Sequence, residues 1–364
     1  MNAAREKSTG SAEVLFPPVE PFATGTLEVP GGQHLYFERC GRPGGLPVVF
    51  LHGGPGSGCN PGQRRFFDPE VWHAVLVDQR GSGRSRPAGI VTANTTDDLV
   101  QDLERLREHL GLAAWLVLGG SWGATLALRY AAAHPRRVTG LLLRGSFLGT
   151  ARELEWFLSG LRRFVPEAWE AFTAGAPARD AAALLAWYHR RIHDPDPALG
   201  VPAARAWSAY ENAVMALTDP GATPAVMPDE AILARMRVHT HYLVHGLFLP
   251  ESGALPDPGR LAGIPVTLLH GRLDFVCPPE NALALARALP GARLRLLEGA
   301  GHSQMEPAMT RALMQELARF AAELADRGPA SAPFKPETAT EPQPDADIRE
   351  ARTAIHDPRS ENSA

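Results

Sequence analysis

Ser121 lies in a glycine-rich turn between an apolar run and a helix-forming run. The apolar run is residues 115–118 (WLVL), the turn is residues 119–123 (GGSWG), and residues 124–130 (ATLALRY) follow. A strand, a sharp turn and a helix in this order hold a serine hydroxyl clear of a sheet, where a histidine can accept its proton. The glycines are needed because the turn is strained and neighbouring backbones pass too close for a Cβ. An incidental serine, the alternative, requires neither the strand nor the helix.

Candidates for the two partners of a nucleophilic serine follow later in the chain. Residues 264–271 (IPVTLLHG) are predicted to form a buried strand, and Asp274 comes just after it. Another strand is predicted over residues 292–297, and it leads to His302. Serine, acid and histidine in this order are typical of the α/β-hydrolase fold. An aspartate after a strand can also be a helix cap, and most of the thirteen histidines must be structural or solvated.

A second turn supplies a candidate oxyanion hole. The apolar run of residues 48–51 (VVFL) leads into residues 52–56 (HGGPG). A backbone N–H can face a substrate oxygen only where no side chain intrudes, so we assign the hole to the N–H groups of Gly54 and Trp122. An ordinary Gly/Pro turn is the alternative. Residues 78–85 (DQRGSGRS) lack the spacing of a nucleotide-binding loop and are predicted to pack against the oxyanion turn.

These motifs predict an α/β-hydrolase fold, with a mostly parallel central sheet flanked by helices and an inserted helical cap. The cap is expected where strand and helix cease to alternate. The tail is rich in Pro, Ala, Glu and Asp and poor in large apolar residues, which is typical of disorder. The predicted parts are a disordered arm over 1–20, the hydrolase core over 21–146 and 262–326, the cap over 147–261 and a disordered tail over 327–364.

Composition and charge limit the partners. The net charge is −4 and no basic run is visible, so nucleic-acid binding has no electrostatic support. The cysteines Cys40, Cys59 and Cys277 form neither a zinc pattern nor a disulfide framework, and Cys277 is predicted to be a packing thiol near the site. No apolar signal core or membrane span is visible. We expect a cytoplasmic enzyme without metal or other cofactor, acting on a small peptide or acyl substrate; its oligomeric state is left open.

Several motifs together resemble the proline iminopeptidase (prolyl aminopeptidase) family. They are residues 52–56, 78–85, 119–123, 270–274 and 301–303, and the resemblance covers residues 20–320. It implies a serine hydrolase that releases N-terminal proline from peptides through an acyl-enzyme, with Ser121, Asp274 and His302 as the triad. It also places Phe147 and Phe157 near the proline ring, with packing of the cap core as an equal alternative.

The sequence departs from the family's pattern at the site that would hold the substrate amine. In the family, two glutamates of the cap hold the free α-amine. Residues 207–211 (WSAYE) match the first motif and place Glu211 at its glutamate, whereas residues 237–243 (RVHTHYL) match the second and place His239 there. An imidazole supports an ammonium less well than a carboxylate does.

This departure leaves several functions open. One is an iminopeptidase with weaker recognition of the amine. Another is an esterase or amidase that acts on small acyl donors without a free amine. A binding protein without catalysis is the third, and the intact triad and oxyanion turn argue against it.

Overall fold

The computed structural model describes residues 15–221, 226–255 and 257–326. The predicted disordered tail and the first fourteen residues of the predicted arm lie outside the described residues. The rest of that arm is described and makes contacts. The Leu15 side chain is buried, and the Phe16 N–H donates to the Arg65 carbonyl oxygen at 3.1 Å.

The strands of the described ranges form one eight-stranded sheet. They are β1 (Ala23–Val29), β2 (Gln33–Gly41), β3 (Leu46–Leu51), β4 (Trp72–Val77), β5 (Trp115–Gly120), β6 (Val138–Arg144), β7 (Val266–Gly271) and β8 (Arg293–Leu297). Their order in the sheet is β1-β2-β4-β3-β5-β6-β7-β8. The pairs β1/β2 and β2/β4 are antiparallel, and the remaining pairs are parallel. This mostly parallel sheet confirms the predicted fold class.

Helices cover both faces of the sheet because side chains along each strand alternate between the faces. The helices are α1 (Thr96–His109), α2 (Trp122–Ala133), α3 (Ala151–Leu158), α4 (Pro166–Thr173), α5 (Ala181–Ile192), α6 (Pro197–Met215), α7 (Asp229–Val244), α8 (Glu280–Ala288) and α9 (Pro307–Asp326). Val49 packs in a cluster with α1, α2 and α8, whereas its neighbour Val48 packs in a cluster with α9.

Helices α3 to α7, here called the cap helices, lie between β6 and β7 in the chain and bury a third apolar cluster. Trp207 is fully buried in this cluster and packs edge-on against Tyr188. Local sequence explains where these helices begin. Thr150 and Glu153 form a capping box at α3, and the Asp180 and Asp196 carboxylates accept from the first turns of α5 and α6.

The carboxyl ends of the parallel strands carry the predicted site. β3, β5, β7 and β8 lead, respectively, into the 52–56 turn, Ser121, the Asp274 turn and the His302 loop. Side chains from distant parts of the chain meet here because parallel strands end at one edge of a sheet. β5 extends past the predicted 115–118 run, because Gly119 and Gly120 pair with Leu143 and Arg144 of β6.

Candidate active site

Ser121 connects the end of β5 to the start of α2 with a left-handed backbone, at φ +57°. This conformation is uncommon for a residue with a side chain and is a position of strain. The neighbouring glycines permit it. A Cβ on Gly119 would overlap the Gly123 carbonyl group, and a Cβ on Gly123 would overlap the Leu51 carbonyl oxygen. The turn therefore has the close backbone packing that the sequence predicts.

Asp274 and His302 meet although 28 residues separate them in the chain. His302 Nδ1 lies 2.7 Å from Asp274 Oδ2, and Asp274 Oδ1 accepts the N–H groups of Val276 at 3.0 Å and Cys277 at 2.8 Å. Burial alone would raise the pKa of Asp274, but the charge and hydrogen bond of His302 hold it below its usual value. The carboxylate is therefore ionised and oriented by the chain around it.

Gly145 lets the chain after β6 pass directly beside the imidazole. Its φ is +51°, and a Cβ there would lie 3.1 Å from both Cε1 and Nδ1 of His302 and 3.2 Å from Asp274 Oδ2. Both conformation and space therefore favour glycine.

Two buried charged residues hold the backbone of the His302 loop. The Arg144 guanidinium donates to the His302 carbonyl oxygen and packs against Gly120. Glu306 accepts the N–H groups of Gly301 at 2.6 Å and Ser303 at 3.2 Å, on either side of His302. Burial lowers the pKa of Arg144. Sequence reasoning assigned no role to either residue.

The predicted oxyanion turn lies against Ser121. A Cβ on Gly53 would be 3.2 Å from the Ser121 Cβ, and Gly54 lines the same cavity as Ser121. Trp122 is the first residue of α2, and the first N–H groups of a helix have no acceptor within it. Gln79 joins the two elements: its amide donates to the His52 carbonyl oxygen at 2.9 Å and accepts the Trp122 indole N–H at 2.8 Å.

Residues of the core and of the cap helices line one cavity of about 290 Å³. Ser121, His302 and Cys277 line it from the core. Burial raises the pKa of Cys277 well above its usual value, so it is a neutral thiol. Four residues predicted to bind substrate line the same cavity: Phe147, Phe157, Glu211 and His239.

Glu211 on α6 and His239 on α7 face each other, with 3.5 Å between Glu211 Oε1 and His239 Nε2. Glu211 also accepts the Trp207 indole N–H at 3.1 Å and a hydrogen bond from Arg235 Nη2 at 3.1 Å. Burial lowers the pKa of His239; the Glu211 charge opposes this shift, and the Arg235 charge adds to it. The imidazole is therefore neutral at pH 7, and Glu211 already has a cationic partner that the sequence did not reveal.

In the described part of the chain, no helix combines the length and the apolar character needed to cross a membrane.

The family model for the alpha/beta hydrolase fold matches residues 47–308. The chain is thus an α/β hydrolase, as its sheet and the serine turn after β5 indicate.

Similar proteins identify one family within the α/β hydrolases. A proline iminopeptidase of Xylella fastidiosa is 47% identical over 296 residues, which cover 80% of this chain and 95% of the relative. One of Arabidopsis thaliana is 43% identical over 305 residues, 82% of this chain and 80% of the relative. The chain belongs to the proline iminopeptidase family. The crystal structure of the Mycobacterium smegmatis proline iminopeptidase shares the fold, at a TM-score of 0.53 and 20% identity, over 83% of this chain and 100% of that one.

Proposed function

We propose that the protein is a serine hydrolase that releases N-terminal proline from peptides, with Ser121 as nucleophile, His302 as base and Asp274 as the acid of the triad. The observation that carries the proposal is the single cavity that Ser121 and His302 share with Glu211 of the cap helices, in a chain of this family. A nucleophile and an amine anchor on one cavity are what an aminopeptidase needs.

The chemistry follows from the hydrogen bonds of the imidazole. Asp274 accepts from His302 Nδ1–H, which leaves Nε2 free to take the Ser121 proton as Oγ attacks the scissile carbonyl carbon. The N–H groups of Gly54 and Trp122 stabilise the oxyanion. His302 then gives its proton to the leaving amine, and the prolyl group remains on Ser121. Water, deprotonated by His302, attacks this ester; the Ser121 oxygen leaves with the proton that His302 returns to it, and proline is released.

The cap helices provide the amine side of the site. Glu211 Oε1 accepts one N–H of the substrate ammonium. His239 accepts the second through Nε2, since its Nδ1, 3.3 Å from the Pro55 carbonyl oxygen, carries the proton in that tautomer. Phe147 and Phe157 line the cavity and pack against the proline ring.

An esterase or amidase acting on small neutral acyl donors is the second candidate. One observation favours it: the Arg235 guanidinium already pairs with Glu211 at 3.1 Å. A carboxylate with a cationic partner attracts an ammonium less than a free one does. The triad chemistry would be the same, and only the group recognised beside the acyl carbon would differ.

The test compares a prolyl arylamide with its N-acetyl analogue and a small neutral ester. An aminopeptidase rejects the blocked amide, whereas an esterase accepts it or prefers the ester. Glu211→Gln keeps the size of the side chain and removes its charge. We expect it to reduce kcat/KM on the prolyl arylamide far more than on the ester. Glu155→Gln, an exposed residue of α3, is the matched control. Equal losses on both substrates in Glu211→Gln would contradict the amine anchor.

A cytoplasmic location is part of the proposal, and subcellular fractionation of the source cells would test it.

A further inference from the structure

Arg235 occupies a position from which it can govern what the cavity accepts. It lies four residues before His239 on α7, so the two side chains project from the same face of the helix. Its guanidinium lines the cavity beside Glu211. The backbone of the same residue contacts the oxyanion turn, where a Cβ on Gly56 would approach its carbonyl oxygen to 2.6 Å. Arg235 therefore joins the amine side of the cavity to the turn next to the nucleophile.

The guanidinium is held mainly by one charged group. Arg235 Nη2 donates to Glu211 Oε2 at 3.1 Å, while Nε is buried and has no hydrogen-bond partner among the described residues. A bidentate pair would engage two of the guanidinium nitrogens. A single bond leaves the guanidinium close to Glu211 and able to be displaced from it.

Among the residues that the structure describes, no second carboxylate of the cavity wall takes over the role of the missing glutamate. The other glutamate that lines the cavity is Glu153. Its oxygens accept the N–H groups of Leu148 at 3.0 Å and Thr150 at 2.9 Å, together with the Asn281 amide at 2.5 Å. These bonds use it to hold the loop before α3. Glu211 is therefore the carboxylate that remains for a substrate, and Arg235 already balances its charge.

We infer that Arg235 is a specificity-determining residue. It competes with the substrate ammonium for Glu211, so the cavity also admits neutral acyl donors of the size of proline. The inference rests on the proposed function, because it concerns the same nucleophile and the same amine anchor. Both candidate functions then belong to the same cavity, and the Arg235 charge sets how strongly that cavity prefers free-amine substrates over neutral ones.

The experiment measures one ratio in five proteins. The ratio is kcat/KM for a prolyl arylamide divided by kcat/KM for the cyclopentanecarbonyl arylamide, which has the same ring size and no amine. The proteins are the wild type, Arg235→Met, Arg235→Lys as the control that keeps the charge, Glu211→Gln, and Glu211→Gln/Arg235→Met. Assays at pH 7.5 keep His239 neutral and much of the substrate amine charged. Organophosphonate labelling of Ser121 checks that each variant is folded.

We expect Arg235→Met to raise the ratio about tenfold, and Arg235→Lys to leave it near the wild-type value. In the Glu211→Gln background the Met substitution should give no gain, because the group competed for is gone. A ratio in Arg235→Met that stays the same or falls overturns the inference. If Arg235→Met does not fold, Arg235→Gln takes its place with the same expected result.

Failure of the proposed function has a different signature. In that case no protein of the set hydrolyses the prolyl arylamide, although all hydrolyse the neutral one. The Arg235 inference is then read from competitive inhibition of neutral arylamide hydrolysis by L-prolinamide. A lower inhibition constant in Arg235→Met than in the wild type supports it, and an equal or higher one overturns it.

Discussion

Replacing Asp274 by asparagine tests whether the carboxylate sets the tautomer of His302. The carboxylate uses its two oxygens differently. Oδ1 accepts the backbone N–H groups of Val276 and Cys277, whereas Oδ2 accepts from His302. In Asp274→Asn the amide oxygen stays with the two backbone donors, because turning it would place an NH₂ group against them. The NH₂ group then faces His302 Nδ1, which must accept. The proton moves to Nε2, where it blocks transfer from Ser121.

The expected fall in kcat follows from the hydrogen bonds that Asp274→Asn changes. Restoring the reactive tautomer requires the amide to turn and to lose two hydrogen bonds, at about 1 kcal/mol each. The negative charge that faces the imidazolium is also lost, and hydrogen bonds to charged groups contribute about 1.5 to 3 kcal/mol. The sum is about 3.5 to 5 kcal/mol, which at about 1.36 kcal/mol per tenfold corresponds to a fall of about 400-fold to 5,000-fold in kcat.

The assay uses both a prolyl arylamide and a neutral ester, because the tautomer affects the chemical step for either. We expect both rates to fall by the same factor, with the melting temperature nearly unchanged. Asp180→Asn is the matched control: it makes the same chemical change at the exposed N-cap of α5, where asparagine caps as well as aspartate. A loss of less than tenfold, or one confined to a single substrate, would refute the reasoning.

Three further predictions address neighbouring parts of the site. Ser121→Ala should abolish labelling by an organophosphonate and reduce turnover by several orders of magnitude without loss of the fold; normal labelling would mean another nucleophile. Gly145→Ala forces a side chain into the left-handed region beside His302, so we expect a loss of about 1 to 2 kcal/mol in unfolding free energy and slower turnover of every substrate. The preference for free-amine substrates over a neutral ester should stay constant as the pH falls through about 6.5, because burial lowers the pKa of His239. The preference should decline only at more acidic pH, where an imidazolium would repel the substrate ammonium. A decline centred at or above about 6.5 would contradict a buried neutral His239.

Much of the architecture could be predicted from the sequence because its signals are local. Apolar runs that precede turns mark the buried parallel strands, and the glycines of the serine turn report close backbone contacts within a few residues. Local signals place the end of β5 too early, at Leu118, because they do not report pairing with a distant strand. Gly119 and Gly120 favour turns by composition, yet they pair with β6, and this pairing depends on a strand that lies later in the chain.

The candidate site could likewise be predicted only in part from local sequence signals. The order of Ser121, Asp274 and His302 along the chain predicts their roles, and the structure brings Asp274 and His302 into contact. Arg144 and Glu306 could not be found in this way. They act on the backbone of the His302 loop, and an arginine or glutamate that binds backbone groups leaves no spacing pattern in the sequence.

Arg235 shows why membership in a family does not determine the charge of a pocket. The motif around His239 reveals that a glutamate is missing, and this change alone predicts a weaker site with one negative charge left. The charge that remains depends on a residue outside the motif, which meets Glu211 only because α6 packs against α7. Because His239 beside them is neutral, the charges of Glu211 and Arg235 sum to zero, where two carboxylates would carry two negative charges. A substrate ammonium must therefore displace Arg235 or share Glu211 with it, whereas a neutral acyl group has no such requirement. The Arg235 charge, 3.1 Å from Glu211, thus sets the preference between these substrates, and no motif records it.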